Sequence, residues 1–70
     1  MSERLDVRGL SCPQPVLVTR TRLNELGSGR LEVMADTGTA RDNVSRVATG
    51  QGWKVEVLEE GDDFLLVLSK

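Results

Sequence analysis

The spacing of hydrophobic residues switches back and forth along this chain, and that alternation leaves few folds open to it. Leu5 and Val7 alternate with charged neighbours, and Leu31, Val33 and Ala35 alternate with Arg30, Glu32 and Met34. A period of two marks half-buried strands, so strands are expected over residues 4–7 and 30–35. Between them Val16, Thr19, Leu23 and Leu26 recur at the helical period of about 3.6 residues, which predicts a helix from Pro13 to about Leu26. Gly27-Ser28-Gly29 stops this helix, with Gly27 as a left-handed cap. Ala40, Val44, Val47 and Ala48 form a second helical stripe. Asp36-Thr37-Gly38-Thr39 offers its N-cap, and Gly50 and Gly52 end it. Trp53, Val55 and Val57 share one face of a third strand over residues 53–59. Glu60-Gly61-Asp62-Asp63 reads as a hairpin turn into a fourth strand, Phe64 to Ser69.

The element order is therefore β-α-β-α-β-β. A helix between the first two strands makes them parallel through a right-handed crossover, and the last two strands are antiparallel. With two helices on one face of a mixed four-stranded sheet, the expected class is α/β of the α+β kind, a two-layer sandwich. Seventy residues make a single domain spanning 1–70, with a small core. No repeat, linker or low-complexity tract interrupts it.

Composition narrows the chemistry. His is absent and Cys occurs once, so a zinc or iron–sulfur site lacks ligands, no metal is expected, and no disulfide can close within the chain. A lone free cysteine suits a reducing compartment, which points to the cytoplasm. There is no long apolar run, and Met-Ser-Glu-Arg-Leu-Asp does not read as a signal peptide, so no membrane association is expected. The net charge is −2, Trp53 and Phe64 are the only aromatics, and the basic residues form no block. Direct binding of nucleic acid, which wants a basic face with stacking rings, is not expected.

The single thiol, Cys12, sits in the run Arg8-Gly9-Leu10-Ser11-Cys12-Pro13-Gln14-Pro15. Proline suits a first helical turn, where its missing N–H would have no partner. With Cys12 as the N-cap, both prolines fall in that turn and the thiol meets the positive end of the helix dipole. A free thiol titrates near about 8.5, and a helix N-terminus or nearby cation brings it to roughly 3.5–7.5. The prolines stiffen the turn but remove donors, leaving the Gln14 N–H, so a moderate depression is expected. That suits nucleophilic attack, because an attacking thiol works best with a pKa near ambient pH. Without His there is no general base for a Cys-His protease or acyltransferase. Without a second Cys there is no CxxC redox cycle within the chain. A carrier remains: Cys12 takes the terminal sulfur of a persulfide on a donor protein and passes it on. The competing reading is a small buried hydrophobe. The flanking prolines and the Arg-Gly turn favour the functional one.

The extended run Leu5-Asp6-Val7-Arg8-Gly9-Leu10-Ser11-Cys12-Pro13-Gln14-Pro15 resembles the Cys-Pro-x-Pro signature of the TusA/SirA-like sulfur carriers. The strand from Arg30 to Asp36, the segment Ala40-Arg41-Asp42-Asn43-Val44 and the final hairpin are similar to the family too, so the resemblance covers nearly the whole chain. It implies the same two-layer sandwich, with a covalent persulfide on Cys12 and no separate cofactor. It implies a cysteine desulfurase or a rhodanese-like protein as sulfur donor and a downstream sulfur acceptor protein. Acceptors in the family serve tRNA 2-thiouridine formation, molybdenum-cofactor synthesis and sulfur oxidation. Asp36 to Val44 looks closest to the YedF branch, associated with selenium metabolism, in which a DsrE-like domain usually follows. Two alternatives therefore stand beside the carrier: a selenium-handling relative, and a regulatory or interaction module on the same fold with Cys12 merely structural.

Around Cys12, Gly9, Pro13, Gln14 and Pro15 shape the turn. Arg8 either steadies the thiolate or pairs with Asp6 or Asp36, and its place just before the turn favours the site role. Asp36 reads first as a helix cap. Leu17 and Val18 point away from the core stripe and offer a docking patch beside the thiol. Arg20, Arg22, Arg41 and Arg46 read as solvated helix faces available to an acidic donor, and Trp53 as core.

Overall fold

The computed structural model describes residues 3–10 and 13–70. Four strands and two helices follow in the order β1 (Glu3–Asp6), α1 (Gln14–Leu26), β2 (Arg30–Ala35), α2 (Gly38–Gly50), β3 (Lys54–Glu60) and β4 (Asp63–Ser69). The sheet runs β1-β2-β4-β3. β1 pairs parallel with β2, setting Leu5 beside Val33. β4 pairs antiparallel with β2 on one side and β3 on the other, setting Leu66 beside both Val33 and Val57. The two-layer α+β sandwich with a mixed sheet is thus the fold the sequence predicts.

The placement of β4 between β2 and β3 does not follow from element order, but it has a physical reason. Phe64 to Leu68 is an unbroken apolar run, which suits a central strand flanked by neighbours on both edges. Leu66 and Leu68 are fully buried, and Leu65, whose side chain points to the opposite face, is nearly so. β3 carries Glu56, Glu59 and Glu60, and charged strands belong at edges, where they block pairing with other chains. Val57 shares the core face with Val55, as expected, but its edge position leaves it exposed. Gly61, with φ 63°, starts the two-residue connection from β3 to β4, as a type II′ hairpin requires.

The core lies between the sheet and the helices. Leu31, Val33 and Ala35 of β2 are fully buried, as their alternation demands, and they pack with Leu23, Val44, Ala48, Trp53, Leu66 and Leu68. Thr37 caps α2 by accepting the Ala40 N–H on its hydroxyl at 3.1 Å. Arg41 stacks over the Phe64 ring at 4.6 Å, so it holds α2 to β4 rather than facing solvent alone. Arg22 likewise is engaged, pairing with Glu3 and Glu25. α1 buries Pro15, Thr19 and Leu23 along one line.

Thr19 is the exception within that line. It is fully buried, and its hydroxyl has no hydrogen-bond partner among the described residues. Burying an unpaired polar group costs about 1–3 kcal/mol. Thr19→Val keeps the shape and removes the hydroxyl, so it should raise unfolding stability by about 1 kcal/mol, measured by urea denaturation. A loss of stability would show that the hydroxyl is satisfied in solution.

Candidate functional site

Because β1 and β2 run parallel, their C-terminal ends lie at the same edge of the sheet, and both following loops emerge there. The chain leaves β1 through Val7, whose N–H donates to the Met34 carbonyl at 2.9 Å. Arg8 and Gly9 then turn, with Gly9 at φ 78°. A Cβ at Gly9 would meet nothing within 4 Å, so glycine is needed there for its backbone conformation and not for space. Ser11 and Cys12 lie outside the described residues.

The structure starts α1 one residue later than expected. Pro13 is the N-cap residue, not Cys12, so Gln14 is the first helical residue and Pro15 the second. The Pro13 carbonyl accepts from both Val16 and Leu17 at 3.1 Å. Since neither proline carries an N–H, Gln14 holds the remaining main-chain donor of this turn among the described residues. Pro15 is buried, so it anchors the turn as well as stiffening it.

Arg8 is held by carboxylates. Its Nε and Nη2 donate to the two carboxylate oxygens of Asp6, at 3.0 and 2.9 Å, and its Nη1 donates to Asp63 at 3.0 Å. Its backbone N–H also donates to Asp6, at 3.0 Å. The pairing with Asp6 that the sequence offered for Arg8 is present, and Asp63 at the start of β4 adds a second carboxylate. The Arg8 side-chain bonds, followed by its N–H and its charge, bring the Asp6 pKa down from 3.8 to about 2. Asp6 and Asp63 in turn push the Arg8 pKa further up. Asp36, read first as a helix cap, caps nothing: its Oδ2 accepts the Gly9 N–H at 3.0 Å, and Thr37 takes the capping role.

An apolar groove of about 250 Å³ opens between the starts of the two helices. Leu10, Pro13, Pro15 and Val16 form one wall, and Thr37, Thr39 and Ala40 form the other. Leu10 and Pro13 are the described residues on either side of Ser11-Cys12. Leu17 and Val18 are exposed as expected, but they line a second groove along the β1 side of α1, with Leu5 and Thr21. The expected docking patch and the groove at the helix starts are thus separate surfaces.

Sequence reasoning missed Asp63 and the roles of Leu10 and Thr39. An apolar Leu10 two residues before the cysteine was the available signal for the groove. Nothing local to Asp63 marks it as the partner of a residue 55 positions away. Among the described residues no cluster of His, Cys, Asp or Glu is placed to hold a metal, and no helix is long and apolar enough to cross a membrane.

The pairing of Asp6 makes an acid-sensitive contribution to stability. Its pKa is lowered on folding, so the contribution is full above about pH 4, the ordinary carboxylate value, and is lost as pH falls toward about 2. Thermal unfolding across this range should show a falling midpoint, and Asp6→Asn should flatten part of that fall. An unchanged slope in Asp6→Asn would place the acid sensitivity elsewhere.

Comparison with known proteins places this geometry. The chain matches the family described as Sulfurtransferase TusA over residues 3–70. A protein of Methanocaldococcus jannaschii, provisionally named a sulfur carrier, is 41% identical over 97% of this chain and 93% of its own length. The sulfur carrier protein TusA of Allochromatium vinosum is 34% identical over 97% of this chain and 92% of its own. The crystal structure of a SirA-like protein from Desulfitobacterium hafniense superposes with a TM-score of 0.87 at 28% identity, covering 96% of this chain and 95% of that one. With a family match that spans residues 3–70 and relatives that align over nearly their whole length, the chain belongs to the TusA family.

Proposed function

We propose that this protein is a sulfur carrier whose cargo is a persulfide on Cys12. The observation that carries this reading is the groove at the helix starts, since the two described residues flanking Ser11-Cys12 both line it. A partner's sulfur-bearing segment can be received there beside an apolar wall that excludes water. Family membership supports the same reading.

The chemistry needs no oxidant and no base beyond the thiolate itself. The Cys12 thiolate attacks the terminal sulfur of a donor persulfide. The bond between the donor's two sulfurs breaks, the donor leaves as a thiolate, and Cys12 now carries the sulfur and its proton. An acceptor thiolate repeats the step on Cys12, which returns as a thiolate. Sulfur moves at the same oxidation level throughout, so no redox cofactor takes part. The donor in this reading is a cysteine desulfurase or a rhodanese-like protein. The acceptor is a protein of tRNA thiolation, molybdenum-cofactor synthesis or sulfur oxidation, and the setting is the cytoplasm.

Docking draws on two surfaces. Leu17 and Val18 expose apolar area along α1. Arg20 and Arg46 border one shallow groove between the helices. Neither pairs with a carboxylate among the described residues, which suits an acidic partner face.

Intact-protein mass spectrometry after incubation with a cysteine desulfurase and cysteine tests the carrier reading. One added sulfur is expected on the wild type, removed by reductant and absent from Cys12→Ser. No addition from either a desulfurase or a rhodanese-type donor would overturn it. Leu17→Glu should weaken donor binding about tenfold, equivalent to about 1.4 kcal/mol, as read by titration calorimetry. Unchanged affinity would remove α1's apolar patch from the interface.

A further inference from the structure

Asp36 stands where the turn before Cys12 meets the second helix. Its Oδ2 accepts the Gly9 N–H at 3.0 Å, while Thr37 and Thr39, which follow it, line the groove opposite Leu10 and Pro13. No described atom lies within 4 Å of where a Cβ on Gly9 would sit, so packing on that side does not hold it. The next amide, Leu10 N–H, reaches only back to the Val7 carbonyl, at 3.4 Å, beyond the usual length of such a bond. Among the described residues, the bond to Asp36 is therefore the one hydrogen bond tying residues 9 and 10 to another element. Asp36 takes part in no ion pair with a described side chain, so its carboxylate has no second use of that kind. Arg8, one residue earlier, is fixed from the other side by Asp6 and Asp63.

We infer that Asp36 is a positioning residue for the chemistry of Cys12: through the Gly9 N–H it fixes the turn from which the chain runs to the thiol, three residues later in sequence. This rests on Cys12 being the reactive thiol. Reacting groups displaced by even a fraction of an ångström lose rate steeply. A hydrogen bond that sets the approach of the thiol should therefore matter more to rate than to stability. What Gly9 requires is an acceptor oxygen at the right distance, and a negative charge is not needed for that.

The test compares Asp36→Asn, Asp36→Glu and Asp36→Ala with the wild type. Asn keeps an acceptor oxygen in place without the charge. Glu keeps the charge but moves the oxygen by one methylene. Sulfur loading from a desulfurase is followed over a range of donor concentrations, Cys12 alkylation by iodoacetamide is followed in parallel, and Tm is recorded for each variant. Asn should load within about twofold of the wild type, and Ala and Glu about tenfold more slowly. The loss should appear in the rate at saturating donor and not in the donor concentration giving half that rate. Ala or Glu loading as fast as the wild type, or Asn as slow as Ala, would overturn the inference. If Ala does not fold, the comparison of Asn with Glu decides it. If the wild type takes up no sulfur, the carrier reading fails, and the order of the alkylation rates still decides the role of Asp36.

Discussion

The parallel pairing of β1 with β2 is the constraint on which the rest depends. Parallel neighbours cannot be joined by a tight turn, so the chain must cross over through α1 before β2 can begin. The same pairing puts Asp6 and Ala35 at one end of the sheet, so both strand-to-helix loops emerge side by side. Sites in α/β folds gather at the C-terminal ends of strands for this reason. Here the consequence is a groove with one wall from each loop, and a carboxylate on the second loop within bonding reach of an amide on the first.

Around that groove the protein stiffens the chain by different means at different residues. Pro13 and Pro15 fix the start of α1 through their rings, and Pro15 adds burial. Gly9 supplies a positive φ that other residues adopt at a cost. Arg8 is clamped by two carboxylates from strands at opposite ends of the chain. Exposed ion pairs contribute little to overall stability. A guanidinium with three bonds to two carboxylates does, however, define an orientation. The surroundings of the turn thus read as a stiff frame, with few main-chain donors left over among the described residues.

Much of this was legible in the sequence, and the part that was not shares one cause. Leu31, Val33 and Ala35 declared a one-sided strand by alternation, and Ala40, Val44 and Ala48 declared a helix face; both are buried as read. The stretch 36–39 declared a cap by residue type, with Asp36 read first and Thr37 the residue that holds it. These are local signals, set by residues a few positions apart. The interposition of β4, the clamp on Arg8 by Asp63 and the bond from Gly9 to Asp36 join distant segments. An exposed aspartate leaves no periodic trace of which amide or guanidinium it will meet. The misplaced N-cap is a different case: Cys12 and Pro13 both fit the propensity argument, and the bonds accepted by the Pro13 carbonyl decide between them. The groove was half legible, in that an apolar Leu10 two residues from a lone cysteine is unusual for a turn.

The central seat of β4 has a kinetic consequence. β3 is hydrogen-bonded to the sheet through β4 alone, and β4 is the last strand to be made. Until residues 63–69 are available, β2 lacks its second neighbour and β3 has none to join. The sheet therefore closes in one late step that pairs residues 29 to 39 positions apart, a contact pattern that slows folding. During synthesis the chain stays an incomplete, sticky half-sheet until its final strand arrives, and only then does the whole domain condense.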